Sequence, residues 1–220
     1  MHLKGSCMKK DRTGRYGQRE ERLNVITHGA GFILSIGALI LLILRAVQTG
    51  TVLHILTFSV FGLSLILLYG ASTMYHSAKA GKRRELLQIL DHASIYVLIA
   101  GTYTPFTLIV LPSPTSWLMF SFIWLCAIIG IVLKLFLTGR YNILSTVMYI
   151  LMGWVIIIAI NPLMEHLSPA GVVLLLAGGI AYTLGAVIYG VKKITYNHAI
   201  FHLFVLAGSM CHFLSIYLFV

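Results

Sequence analysis

Two histidines four residues apart, His198 and His202, present both imidazoles to one face of a helix at a separation that can grip one metal ion. His76 offers a third nitrogen. Three protein nitrogens with a fourth position left to water are the arrangement of a catalytic zinc site, whereas structural sites usually close the sphere with four protein ligands. Imidazole ligands also suit zinc by type. Ser72 stands four residues before His76 and shares its helix face one turn away. Asp91 is a carboxylate in an apolar stretch, costly there unless a cation, an activated water or protonation relieves it. A histidine pair at this spacing is on its own more often interfacial or hydrogen-bonded than metal-binding. The pair gains weight only if His76 and Asp91 share its depth.

That depth is set by the elements that carry these residues. The chain has 220 residues, of which 59% are hydrophobic and only 10% charged, far from the roughly 25% charged of soluble domains. Seven stretches reach the approximately 20 apolar residues that a spanning helix requires. They fall near 24–44, 53–76, 86–110, 115–136, 142–162, 168–189 and 197–219, with connections too short for a soluble domain. Breaker-rich stretches such as Leu111-Pro112-Ser113-Pro114 and Asn161-Pro162 separate them. The fold expected is all-α: a polytopic seven-transmembrane-helix bundle over 24–220, preceded by a basic tail over 1–23. No small-residue cleavage site follows the tail, so the first span reads as an uncleaved helix. Fifteen lysines and arginines fall on one side of such a bundle and Arg45 alone on the other. By the positive-inside rule the amino terminus is cytoplasmic and the carboxyl terminus external.

With that topology His76 sits in the last cytoplasmic turn of the second span, Asp91 and His92 one to two turns into the third, and His198 and His202 in the first two turns of the seventh. All lie within roughly 10 Å of one membrane edge at about 1.5 Å rise per residue. Ionisable residues at such depth are a functional-site hypothesis by default. His92 is rotated by about 100° from Asp91, so only one of the two can face a common ion, and Asp91 is preferred. His28, one turn into the first span, can join the cluster or simply cap it. His54, His166 and His212 are too far away to join. For Ser72, a hydroxyl bonded back to its own helix is an equal alternative to a role in the site.

Other classes fit less well. The net charge of +10 comes from short clusters between apolar runs, not from a surface that would hold nucleic acid. Cys7, Cys126 and Cys211 form no CxxC pair and imply no disulfide framework. The seventh span has no lysine for a retinal Schiff base, and no Gly-x-Ser-Gly-like nucleophile motif or inverted repeat is present. Ala177, Ala181 and Gly185 form a small-residue stripe expected to pack closely, and Pro105 is expected to kink its helix.

Glu20-Glu21 with Asn24 and Thr27-His28-Gly29, Ser72-Thr73-Met74-Tyr75-His76-Ser77, Leu90-Asp91-His92 with Gly101-Thr102-Tyr103-Thr104-Pro105-Phe106, and His198-Ala199-Ile200-Phe201-His202 with His212 occur in this order. The pattern resembles the haemolysin III family, the bacterial branch of the progestin and adiponectin receptor superfamily, from about Glu20 to the end of the chain. The resemblance implies a multi-pass protein of a bacterial plasma membrane. It also implies zinc held by His76, His198 and His202, with Asp91 on the water and Ser72 nearby. Alkaline ceramidases, similar in motif and topology, imply hydrolysis of lipid amides or esters, whereas the family name implies a cytolysin. The long amino-terminal domain of the animal receptors is missing, and His92 stands where those receptors can carry tyrosine.

The reading carried forward is a zinc-dependent hydrolase of lipid amides or esters, with Asp91 and Ser72 catalytic and the lipid entering from the bilayer. The alternatives are a pore-forming cytolysin and a receptor-like protein that binds lipid without turnover. A cytolysin should line a water path with polar residues through the whole thickness of the membrane.

Overall fold

The computed structural model describes residues 16–137 and 142–220. Cys7, the tail residues up to Arg15 and Arg140 lie outside the described residues. Among the described residues the fold is helical, without strands. The helices are α1 (Gln18–Thr49), α2 (Val52–Ser77), α3 (Lys82–Pro105), α4 (Thr115–Leu137), α5 (Asn142–Trp154), α6 (Ile160–His166), α7 (Pro169–Gly190) and α8 (Asn197–Phe219). A π-helical turn, Phe106–Val110, extends α3, and a 3-10 turn, Val155–Ala159, joins α5 to α6. Seven helical spans, with α5 and α6 forming one, are long and apolar enough to cross a membrane. The protein is therefore a multi-pass membrane protein.

Leucines, isoleucines and phenylalanines cover the outward faces of these helices, among them Ile33, Phe136 and Ile158, all more than two-thirds exposed. The interior instead collects polar groups. Asn24, His28, Ser72, His76, Asp91, His198 and His202 are all buried. They sit beside an apolar core that includes Phe58, Phe61 and Phe106, a distribution expected in a bilayer, because lipid tails solvate the apolar outer faces and buried polar groups must find partners inside.

Two expectations are corrected. The first helix begins at Gln18, not at Asn24, because Glu20 and Glu21 find buried partners inside the bundle instead of water. Asn161-Pro162 does not end the fifth span, since it lies in the first turn of α6, where a missing N–H costs little. The break falls earlier, at Val155–Ala159, and Tyr103 of α3 spans it. Its hydroxyl accepts the Ile156 N–H at 2.7 Å and donates to the Gly153 carbonyl at 2.9 Å, giving partners to backbone groups around the break. The close contact of α7 with α8 runs through Gly171, Gly178 and Gly185, the last of them in the small-residue stripe expected to pack. These glycines are spaced by seven residues, two turns on one face, and a Cβ at each would press into Phe219, His212 or Phe204 of α8 respectively. Pro105 does mark a change of helix geometry, the π-helical turn that follows it.

Candidate metal centre

His76 lies in the last turn of α2, and His198 and His202 occupy the first two turns of α8. All three are buried, and one ligand atom from each falls within 4.8 Å of the other two. The Nε2 atoms of His76 and His198 are 3.1 Å apart. Tetrahedral zinc with Zn–N bonds of about 2.0–2.1 Å would set neighbouring nitrogens roughly 3.3 Å apart, so the spacing fits such an ion.

The opposite ring nitrogens decide whether lone pairs face the centre. Glu21 Oε2 lies 2.7 Å from His76 Nδ1 and accepts its proton, which leaves Nε2 bare toward His198. Asn24 approaches the same Nδ1 at 3.3 Å, and the shorter, charged contact to Glu21 decides where the proton points. Thr27 Oγ1 donates to the Leu23 carbonyl at 2.8 Å and stands 3.4 Å from His202 Nδ1, from which its oxygen can accept. Two of the three imidazoles are thereby turned by partners on α1, the arrangement that orients histidines around metals.

Glu21 is fixed in turn. Its Oε1 pairs with Arg84 at 2.5 Å, while the same guanidinium donates to the carbonyls of Tyr75 and Ala78, each at 2.9 Å. Arg84 also lies over the Tyr75 ring, 4.4 Å from its centroid. A residue that reads from sequence as one more loop cation is thus a buried clamp on the α2–α3 connection. Glu20 does a different task. Tyr196 precedes α8 with φ 59 and gives no side-chain cap. Glu20 Oε1 accepts the His198 N–H at 3.2 Å, so a carboxylate from α1 caps the helix that carries two of the imidazoles. Tyr16 stacks on His198, with centroids 4.6 Å apart and planes 16° apart, and its N–H donates to Glu21 at 3.2 Å. Burial raises the Tyr16 hydroxyl well above its ordinary pKa, and Tyr189 adds to the effect, so it stays neutral.

His28 stacks on His202, with centroids 3.5 Å apart, and its ring nitrogens make no hydrogen bond among the described residues. It joins the cluster through its ring face, outside the three-nitrogen group. Asp91 and Ser72 are also outside that group. Both line a cavity of about 170 Å³ together with His28, His198 and His202. Ser72 Oγ has no hydrogen-bond partner among the described residues, unlike Thr73 and Ser77 on the same helix, which bond back to Tyr69 and Thr73 carbonyls at 2.7 Å each. His92 turns Nδ1 to the Gln88 carbonyl of its own helix at 2.8 Å, with Asp91 Oδ2 3.5 Å away. His54 and His166 stay apart, bonded to Thr51 and to the Pro162 carbonyl respectively. His212 is about 15 Å beyond His202 along α8 yet lines the same cavity.

None of Glu20, Glu21, Asn24, Thr27, Arg84 and Tyr16 was given a role at the site by sequence reasoning, although the first four stand in the family pattern and Arg84 in the count of basic residues. A signal was available for four of them: Glu20, Asn24 and His28 recur every four residues, with Glu21 and Thr27 beside them, a polar stripe leading into an apolar helix.

Residues 16–213 match the family model described as haemolysin-III related. The chain is 50% identical to Hemolysin-3 of Bacillus cereus over 92% of both chains. It is 47% identical to the Hemolysin-3 homolog of Bacillus subtilis, covering 90% of this chain and 93% of that one. A more distant relative is the monocyte to macrophage differentiation factor of Homo sapiens, 28% identical over 72% of this chain and 68% of its own. The ordered motifs and the seven helical spans agree with this match, and the chain belongs to the haemolysin-III related family.

Proposed function

We propose that this protein is a zinc-dependent hydrolase of lipid amides or esters in the cell membrane, with the metal held by His76, His198 and His202. The observation that supports it most is the pair of imidazoles whose outer nitrogens are engaged by Glu21 and Thr27, leaving lone pairs to converge on His198. Zinc bound there supplies Lewis acidity, activating water and polarising a carbonyl oxygen.

The chain's own groups account for the rest. Asp91, in the cavity wall, takes the proton of the attacking water as general base. Ser72, its hydroxyl without a partner among the described residues, is available to donate to the substrate carbonyl. Ile95, Leu98 and Ile99 of α3 and Leu175 and Leu176 of α7, among the residues that line the cavity, hold the acyl chain and exclude bulk water. Lipid enters from the bilayer. The basic residues of the tail and of the α2–α3 and α7–α8 connections favour a cytoplasmic amino terminus and an external carboxyl terminus, which puts the site near the cytoplasmic face.

The name of the two Bacillus relatives favours a second reading, a pore-forming cytolysin. Against it, the buried charged pairs and the three-histidine group gather at one end of the bundle, while Thr102 and Thr104 of α3 and Thr107 of the π-helical turn bond to carbonyls one turn back and the deeper Tyr69, Tyr182 and Ser209 hydroxyls bond to one another. Metal content together with bound lipid in the purified protein tests the proposal. Zinc with a cleaved lipid supports hydrolysis, zinc with an intact lipid points to a receptor-like protein, and protein purified without metal loss yet free of zinc contradicts both.

A further inference from the structure

A second group of polar side chains lies deeper in the bundle, unused by this chemistry. Tyr69 donates to Ser209 Oγ at 2.7 Å, and the Tyr182 hydroxyl lies 2.8 Å from the same oxygen. Beside them, His212 Nε2 is 3.0 Å from the Leu175 carbonyl. A carbonyl only accepts, so Nε2 carries the proton and Nδ1 keeps a lone pair. That Nδ1 is buried and has no hydrogen-bond partner among the described residues.

The ring is closely held. A Cβ on Gly178 would overlap it, so α7 has a glycine where the imidazole needs room. Tyr182 meets it edge to face at 5.3 Å. An orphaned acceptor kept in one tautomer by its neighbours is costly in a membrane interior, where such groups otherwise find partners. His212 and Tyr182 line the same cavity as His198 and His202. Along α8, His212 is about 15 Å from His202, ten residues on.

We propose that His212 Nδ1 accepts a hydrogen bond from a hydroxyl carried partway along the acyl chain of the bound lipid, making the deep end of the cavity a subsite for hydroxylated chains. The inference rests on the reading that the carbonyl end of that lipid sits at the three imidazoles. A group about 15 Å away can then meet only the tail. The Tyr182 and Ser209 hydroxyls already bond to each other, whereas His212 Nδ1 has no partner among the described residues, so the imidazole is the unsatisfied acceptor at this end of the cavity. Pockets built to bond a hydroxyl discriminate sharply against analogues that lack it, because the protein partner is left unpaired.

The test uses the full-length, zinc-loaded protein in bilayer nanodiscs, with displacement of a fluorescent fatty acid as the readout. The probes are octadecanoic acid and its positional hydroxy isomers. The wild type is expected to bind one mid-chain isomer about tenfold more tightly than the plain acid, the worth of one buried hydrogen bond. His212→Phe, which keeps a ring but removes the acceptor, is expected to erase that preference. Equal binding of all isomers, as when only water fills the deep end, overturns the inference, and so does a preference that survives His212→Phe. If the variant does not fold, the wild-type isomer series decides alone: a peak at one position supports the subsite and a flat series removes it. Failure of every acid to bind overturns the proposed lipid function as well, whereas binding without preference overturns the subsite only.

Discussion

Glu21 Oε2 stands 2.7 Å from Nδ1 of His76, and the same carboxylate is held on its other oxygen by Arg84. One buried acid on α1 therefore links the end of α2, the start of α3 and the orientation of a candidate ligand. Glu21→Gln keeps the shape but loses the charge, and is expected to lower zinc affinity about 10–100-fold, the usual cost of losing an outer-shell partner. Competition with a zinc chelator measures it. Unchanged affinity would show that the carboxylate serves only the Arg84 pair.

Arg84→Met leaves Glu21 buried without its cation, and loss of one partner of a buried pair costs about 3–5 kcal/mol. Thermal unfolding in detergent is expected to show a clear fall in midpoint. The double variant with Glu21→Gln should recover part of it, because the uncompensated charge is gone.

His202→Ala leaves two imidazoles on different helices, a poor site, and most zinc should be lost. His212→Ala should retain it, since that ring lies about 15 Å farther along α8. Elemental analysis of both purified variants checks the pair, and wild-type zinc in His202→Ala rules out the ligand assignment.

A reporter fused after Val220 is expected to read as external, and reporters in the Lys79–Arg84 and Lys192–Lys193 connections as cytoplasmic. An internal carboxyl terminus contradicts the orientation.

The three-histidine group could be read from sequence because membrane spans convert residue number into depth. His76 near the end of one helix and His198 near the start of another must lie at the same end of the bundle. The same step brought Asp91 and Ser72 to the cavity wall. Glu20 and Glu21 escaped it because charges ahead of an apolar run look like a solvated tail, and hydropathy cannot tell a tail from the first turns of a helix. Arg84 counted toward topology for the same reason. Its three bonds to Tyr75, Ala78 and Glu21 depend on how the α2–α3 connection folds back. The break at Val155–Ala159 left no signal in a uniformly apolar stretch, since its partner, Tyr103, is about 50 residues away.

Fatty-acid release from mixed lipid amides and esters by purified, zinc-loaded protein, wild type against Asp91→Asn, decides whether the site hydrolyses lipid. The substitution keeps the size of the side chain but removes its ability to accept a proton at neutral pH. If Asp91 is the general base, zinc should largely remain while release falls by about 10²–10⁴-fold. A receptor-like protein would show altered lipid affinity or stability with no turnover to lose, and a cytolysin would still permeabilise vesicles. Equal background release from wild type and Asp91→Asn would contradict the hydrolase account.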